Sequence, residues 1–264
     1  MLGLAMTLAG GAPTSEFAPA NFGSLDLHYD FSQLTGSHGD AVTSFANAGD
    51  GGSDYDLSQS TASKKPTLDT SAMALNCTAW DKTNDRLTMA NIYTTTDKTF
   101  TLFFVFETGQ AGTDIFLGGA SGSSINFINL AGANGVAIQT RFTGNVAGTN
   151  NGSVTTKTNG TESAGTNGDG DHTFRENTPE VLIMTRGDDN ANRFFNFEGT
   201  LICTSTSDST DADTNFRIQN MGTGGTGSSP WDGKIGEVGV YNKTLTDAEA
   251  VTLAAHLTAK WSVS

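Results

Sequence analysis

Residues 234–261 read KIGEVGVYNKTLTDAEAVTLAAHLTAKW, a β-rich run that stops at Tyr241 and passes at once into a helical pattern. Thr246 and Glu249 stand at capping-box spacing, in which the hydroxyl accepts from a first-turn N–H and the carboxylate reaches back to the cap. Ala250, Leu253, Ala254, Leu257 and Trp261 then fall at i, i+3, i+4, i+7 and i+11, one apolar stripe. Asp247 and Glu249 lie at the positive end of the helix dipole and Lys260 at the negative end. The spacing predicts one terminal helix, packed as a lid on the edge or end of a β-structure. Its structural reading is a clamp; the alternative is a partner-binding helix.

The rest of the chain reads as strands and turns. LDLHYDF (25–31) alternates Leu25, Leu27, Tyr29 and Phe31 with polar residues, the pattern of a half-buried strand. TFTLFFVFE (99–107) puts Phe100, Leu102, Phe104 and Phe106 on one face and Phe103 and Val105 on the other, which predicts a central strand buried on both faces. SINFINLA (124–131) and GVAIQTRF (135–142) flank Gly-Ala-Asn-Gly and predict a hairpin. EVLIMTRG (180–187) and NRFFNFEGTLICTS (192–205) follow, the latter turning at Glu198-Gly199, and KIGEVGVYN (234–242) is the last strand. Residues 143–171 and 204–233, rich in Gly, Asn, Thr, Ser and Asp, read as two long loops. A chain of 264 residues is normal for one sandwich, and its 16 Phe supply a core despite only 36% hydrophobic content.

Charge narrows the partners. Fourteen basic against 28 acidic residues give a net charge of −14, which repels nucleic acid and anionic membranes. No stretch approaches the ~18 apolar residues of a membrane span, so no membrane insertion is expected. Cys77 and Cys203 sit in no CxxC motif and are expected as free buried thiols, or as one bridge if their strands meet. The opening, MLGLAMTLAGGAPTSEF, has no basic residue before its apolar stretch, the first lysine being Lys64, and is read as a retained arm rather than a signal peptide. The chain divides into this arm, residues 1–23, and one globular unit, residues 24–264. Leu2, Leu4, Met6, Leu8 and Phe17 are the arm's candidate docking side chains.

The terminal run resembles the C-terminal signature of concanavalin A-like lectin/glucanase domains of the laminin-G-like type. In that pattern a strand "G-x-I-x-E-hydrophobic-x-hydrophobic-Y-N" leads into "L-[ST]-x-x-E" and a helix ending "L-x-x-K-W". Ile235, Glu237, Tyr241, Leu245, Glu249, Lys260 and Trp261 stand in those places. Upstream, Phe45, Asn47, Asp50, Gly51, Asp54, Gln59 and Pro66 follow an aromatic strand as in the family's opening, and WDKTNDRLTM is similar to its "F-D-G-T-D-D-Y-L". The resemblance covers roughly residues 25–261 and implies an all-β, two-sheet antiparallel jelly-roll sandwich with a short C-terminal helix, preceded here by an extended N-terminal arm. MLGLAMTLAGG also resembles the openings of virion structural proteins of marine tailed phages that carry such a domain.

Chemistry is sparse. Glycoside hydrolases of this fold class set two carboxylates across the scissile bond, and the glucanase branch carries E-x-D-x-x-E on one strand. No Glu here is followed two residues on by Asp, and no H-E-x-x-H or G-x-S-x-G occurs. The chain is therefore expected not to be an enzyme, with a degenerate hydrolase or lyase the reading that a facing acid pair would restore. Asp188, Asp189, Asn190 and Asn192 crowd a turn that either holds Ca²⁺ or is a plain turn using its own backbone hydrogen bonds; otherwise no cofactor is expected. Asn167, Asp169 and Trp231 are the candidate carbohydrate contacts, Trp231 either stacking on a sugar or capping the core. His28 reads as surface-facing on its strand.

The expectation is a non-enzymatic phage virion protein, a capsid decoration or a tail or fibre component, with a lectin-like domain contacting host glycans. Its partners would be other virion proteins, reached through the arm, and further copies of itself, a trimer among the arrangements. The alternative is a carbohydrate-binding lectin module of a bacterial surface protein.

Overall fold

The computed structural model describes residues 17–81, 83–95, 99–109, 177–189, 191–206, 217–222 and 231–264, and the backbone of strands at 115–116, 125–126, 128–129, 136–146, 149–158 and 161–164. In chain order the strands are β1 (Leu25–Asp30), β2 (Ser44–Phe45), β3 (Leu57–Ser58), β4 (Thr67–Asp69), β5 (Cys77–Asp81), β6 (Leu87–Thr94) and β7 (Phe100–Thr108). There follow β8 (Ile115–Phe116), β9 (Ile125–Asn126), β10 (Ile128–Asn129), β11 (Val136–Val146), β12 (Thr149–Thr158) and β13 (Thr161–Ala164). The last are β14 (Pro179–Arg186), β15 (Ala191–Phe195), β16 (Leu201–Thr206), β17 (Arg217–Met221) and β18 (Asp232–Tyr241), before helix α1 (Asp247–Trp261).

Two antiparallel sheets make the sandwich. The larger runs β16-β15-β14-β7-β18-β5-β4, with β1 also on β18; the smaller runs β10-β17-β6-β3-β2. The inner core forms where Tyr29, Phe100, Phe104, Phe106, Leu182 and Val240 of the large sheet meet Leu57, Leu87, Met89, Tyr93 and Ile218 of the small one. Every residue of β7 is buried, as its two apolar faces require. Phe103, Val105, Val181, Ile183, Phe195 and Tyr241 form a second apolar layer on the other face, and Leu253, Ala254, Leu257 and Trp261 cover it. The helix thus lies across a face of the large sheet, not on the edge or end of the sandwich: an exposed Phe103–Val105 face would have to be hidden. Leu253 and Leu257 each contribute about 1.5–3 kcal/mol by burial there. Thr246 caps the helix and Glu249 completes the box, as the spacing predicts.

One local irregularity sets which way the site points. Opposite β7, Ile235 pairs with Phe106 and Glu237 with Val105, so Gly236 is an extra residue in β18. Such a bulge reverses the in–out alternation beyond it. Ile235 faces the inner core, while Glu237 turns to the helix-covered face. A Cβ at Gly236 would lie 2.8 Å from the Trp261 ring, so the bulge also seats the helix's last side chain.

Elsewhere the folding departs from the sequence pattern. The hairpin expected from 124–131 and 135–142 does not form: β10 pairs with β17, and β11 pairs with β12 and β8. The segment read as a loop from 143 to 171 carries the end of β11, with β12 and β13, in a third sheet. Backbone ladders recruit Thr- and Val-bearing polar sequence without an apolar face to announce it. The second expected loop likewise contains β17. Cys77 is a buried free thiol whose pKa is pushed up to about 12 by burial; the side chain of Cys203 lies outside the described residues.

Candidate functional site

A cluster of charged side chains lies beneath the C-terminal end of α1. The bulge aims the fully buried Glu237 at it. Its Oε1 accepts from His28 Nε2 at 2.8 Å, and its Oε2 accepts from Lys260 Nζ at 2.6 Å and Trp261 Nε1 at 2.8 Å. Lys260 also pairs with Asp30 at 2.8 Å and lies 5.6 Å from the Trp261 ring centroid. Burial pushes the Glu237 pKa up, but the His28 hydrogen bond and the Lys260 charge outweigh it and hold the carboxyl below its usual range. A general acid needs the opposite shift. Both oxygens are spent on holding β1, β18 and α1 together, so this group ties the helix down. His28, read from sequence as surface-facing, instead lies between the sheet and this carboxylate, its side chain 16% exposed.

A cleft of about 540 Å³ opens beside this cluster, walled by Phe17, Pro19, His256 and Lys260. Phe17 lies against Phe22 and His256, with ring centroids 4.9 and 5.2 Å away. Tyr241 Oη donates to Pro19 O at 2.8 Å and Lys243 Nζ to Phe22 O at 2.7 Å. Residues 17–23, assigned from sequence to the arm, are therefore docked on the domain. Phe17, half-buried, packs against these rings. Leu2, Leu4, Met6 and Leu8 lie outside the described residues.

A second cleft, of about 330 Å³, lies between residues 62–67 and the end of β5. Ser63, Lys65, Thr67, Trp80, Asp81 and Asp85 line it. Asp85 is only 5% exposed. One of its oxygens accepts the Asp81 N–H at 3.1 Å, and no described residue reaches the other. Burial, reinforced by the Asp81 charge, pushes its pKa up to about 6. The neighbouring Asn84 Oδ1 and Arg86 Nε are buried without a partner among the described residues. This pocket was not singled out from sequence, although Asp81 and Asp85 lie in the WDKTNDRLTM stretch that carries the resemblance.

Trp231 takes the second of its two readings. Its side chain is fully buried, with its ring edge-on to Phe106 at 5.9 Å, and its backbone N–H donates to Gly222 O at 2.7 Å. An indole with no exposed face offers a sugar nothing to stack on; it caps the core. Asn167 and Asp169 lie outside the described residues.

In the acidic turn the described side chains make contacts of their own. Asp189 Oδ1 accepts the Ala191 N–H at 3.0 Å and Oδ2 pairs with Arg193 at 3.1 Å. Those contacts, the backbone bond first, lower its pKa despite slight desolvation. Asn192 is buried, its Oδ1 accepting from Arg186 Nη1 at 3.1 Å, while Asp188 stays exposed. Asp189 and Asn192 thus spend oxygens on the turn backbone and on arginine side chains, as in a plain turn; Asn190 lies outside the described residues.

No family model matches the chain, and no curated protein does. Among solved structures, the receptor-binding domain of a botulinum neurotoxin C/D mosaic serotype is similar with TM-score 0.55 at 10% identity, over 88% of this chain and 51% of that one. The binding domain of Paraclostridial Mosquitocidal Protein 1 gives 0.54 at 11% identity, over 88% and 52%. Domain 4 of an extracellular arabinanase from Geobacillus stearothermophilus, solved with arabinotriose, gives 0.46 at 14%, over 88% and 98%. The chain spans about half the length of the two toxin domains. At such identities the likeness is one of fold, and with the sheet order and the covering helix it makes the chain a two-sheet antiparallel jelly-roll β-sandwich.

Proposed function

We propose that the chain is a non-enzymatic carbohydrate-recognition module displayed on a virion, as a capsid decoration or a tail or fibre component. The observation that carries the recognition half is the fold, whose neighbours above one half in TM-score are named as binding domains. Supporting it, the buried Glu237 carboxylate is ionised and engaged in holding the helix. The virion half rests on the similarity of MLGLAMTLAGG to virion-protein openings. In this reading the segment before Phe17 meets other virion proteins, and further copies of the chain assemble on the particle.

A glycan array probed with the purified protein tests recognition, and turnover of the bound glycans is followed in parallel. Binding without cleavage is the expected result. A blank array refutes recognition, and cleavage lost on a single carboxylate substitution refutes the non-enzymatic reading. For the setting, mass spectrometry of purified particles should find the protein at a fixed copy number; a bacterial surface fraction holding it instead favours the alternative of a surface lectin.

A further inference from the structure

We infer that the cleft between residues 62–67 and the end of β5 is the saccharide site, and that it takes a neutral sugar through two adjacent hydroxyls. This rests on the recognition reading above and adds the place and the chemistry. The cleft's volume of about 330 Å³ falls at the small end of ligand sites, which run about 300–1,000 Å³ and suit one sugar residue here.

The wall has the right complement of groups. Ionised carboxylates only accept hydrogen bonds and ammonium groups only donate them, whereas a sugar hydroxyl does both. Asp85 offers an oxygen that no described residue reaches, from a side chain 95% removed from solvent by its 5% exposure. That oxygen opens onto the cleft and can accept from a ligand hydroxyl in place of water. Asp81 is exposed beside it, using one oxygen to hold the Thr83 N–H at 2.8 Å. Lys65 faces the same space and has no ion-pair partner among the described residues. Ser63 and Thr67 add hydroxyls that match a sugar's own. Adjacent hydroxyls can donate to Asp81 and Asp85 while Lys65 donates to an oxygen of the same ring.

The charge selects against other ligands. Two carboxylates against one ammonium, on a chain of net charge −14, repel uronic and sialic acids. A divalent cation would find the Lys65 ammonium in its path, and no three metal-ligating His, Cys, Asp or Glu side chains converge among the described residues. Trp80 is buried to 3% exposure and contributes wall rather than a stacking face.

The test takes the neutral and acidic glycans of the array and titrates the best binders against wild type, Asp85→Asn and Lys65→Ala. Asp85→Asn keeps the side chain's shape, and Lys65→Ala removes a half-exposed group. Neutral glycans are expected to bind, with affinity falling at least tenfold in each variant while thermal unfolding stays cooperative. Binding that survives both substitutions unchanged overturns this site and leaves the recognition reading standing. Preference for acidic glycans overturns the ligand class, and a blank wild-type array overturns both.

Discussion

Glu237→Gln is the most informative single change, because it keeps the side chain's shape and removes only its charge. In the wild type the carboxylate receives three hydrogen bonds, two from groups that carry or can carry charge, at 2.6–2.8 Å. A glutamine carbonyl can still accept from Lys260 and Trp261, but its amide donates toward His28, which must then present an unprotonated nitrogen. Lys260 keeps Asp30 at 2.8 Å, so it is not stranded. The loss is therefore below the ~3–5 kcal/mol of leaving a buried charge unpaired, and near the difference between charged and neutral bonds summed over the set, about 2 kcal/mol. For a domain of this size that lowers Tm by about 4–8 °C. Glu237→Ala also orphans the Trp261 indole N–H and opens a cavity, and should cost about 4 kcal/mol.

The pH dependence separates the electrostatic argument from packing. Glu237 is depressed in the fold, so its contribution is present above the unfolded carboxyl value, 4.5, and is lost as pH falls through the lower folded value. Urea unfolding followed by tryptophan fluorescence at pH 7, 5 and 3 should show the wild-type advantage over Glu237→Gln shrinking at the acid end. A Gln variant within 0.5 kcal/mol of wild type at pH 7, a threshold of about surface-mutation size, would refute the clamp.

Three further outcomes follow from particular contacts. Gly239→Ala places a Cβ 2.0 Å from the buried Phe103 ring, so urea unfolding should show a loss of about 1–3 kcal/mol or more. Trp231→Ala should cost about 3–5 kcal/mol in the same assay, with any effect on glycan binding tracking the unfolded fraction. Asp85→Asn should stabilise the free protein. A carboxyl raised to about 6, facing Asp81 and Lys65, favours the fold while protonated and loses that contribution as pH rises from about 4 through 6. The variant's gain, about 1–2 kcal/mol at pH 8, should vanish at pH 4, and a loss of stability at pH 8 would count against an open acceptor in the cleft.

The large sheet was legible because its residues obey simple periods. Leu25 to Phe31, Phe100 to Phe106 and the α1 stripe each declare a buried face, and Thr246 with Glu249 declares where the helix starts. What the helix covers was not legible, since an apolar stripe carries no record of whether an edge or a face receives it; the odd-numbered Phe103 and Val105 supplied the missing half of the surface. The third sheet escaped because β12, TNNGSVTTKT, has no alternation of apolar residues. Glu237 shows the subtler failure. Counted by twos from Ile235, it belongs in the inner core, where an ionised carboxylate would be untenable without partners. Gly236 adds one residue, the count slips, and the same glutamate meets His28, Lys260 and Trp261. The spacing that makes I-x-E and K-W look like separate pieces of a signature is thus one contact, closed by a single inserted glycine. Deleting Gly236 should accordingly leave the glutamate opposite Val105 on the helix-covered face, in an unbroken alternation after Ile235, whereas Gly236→Ala should cost more, because its Cβ would lie 2.8 Å from the Trp261 ring.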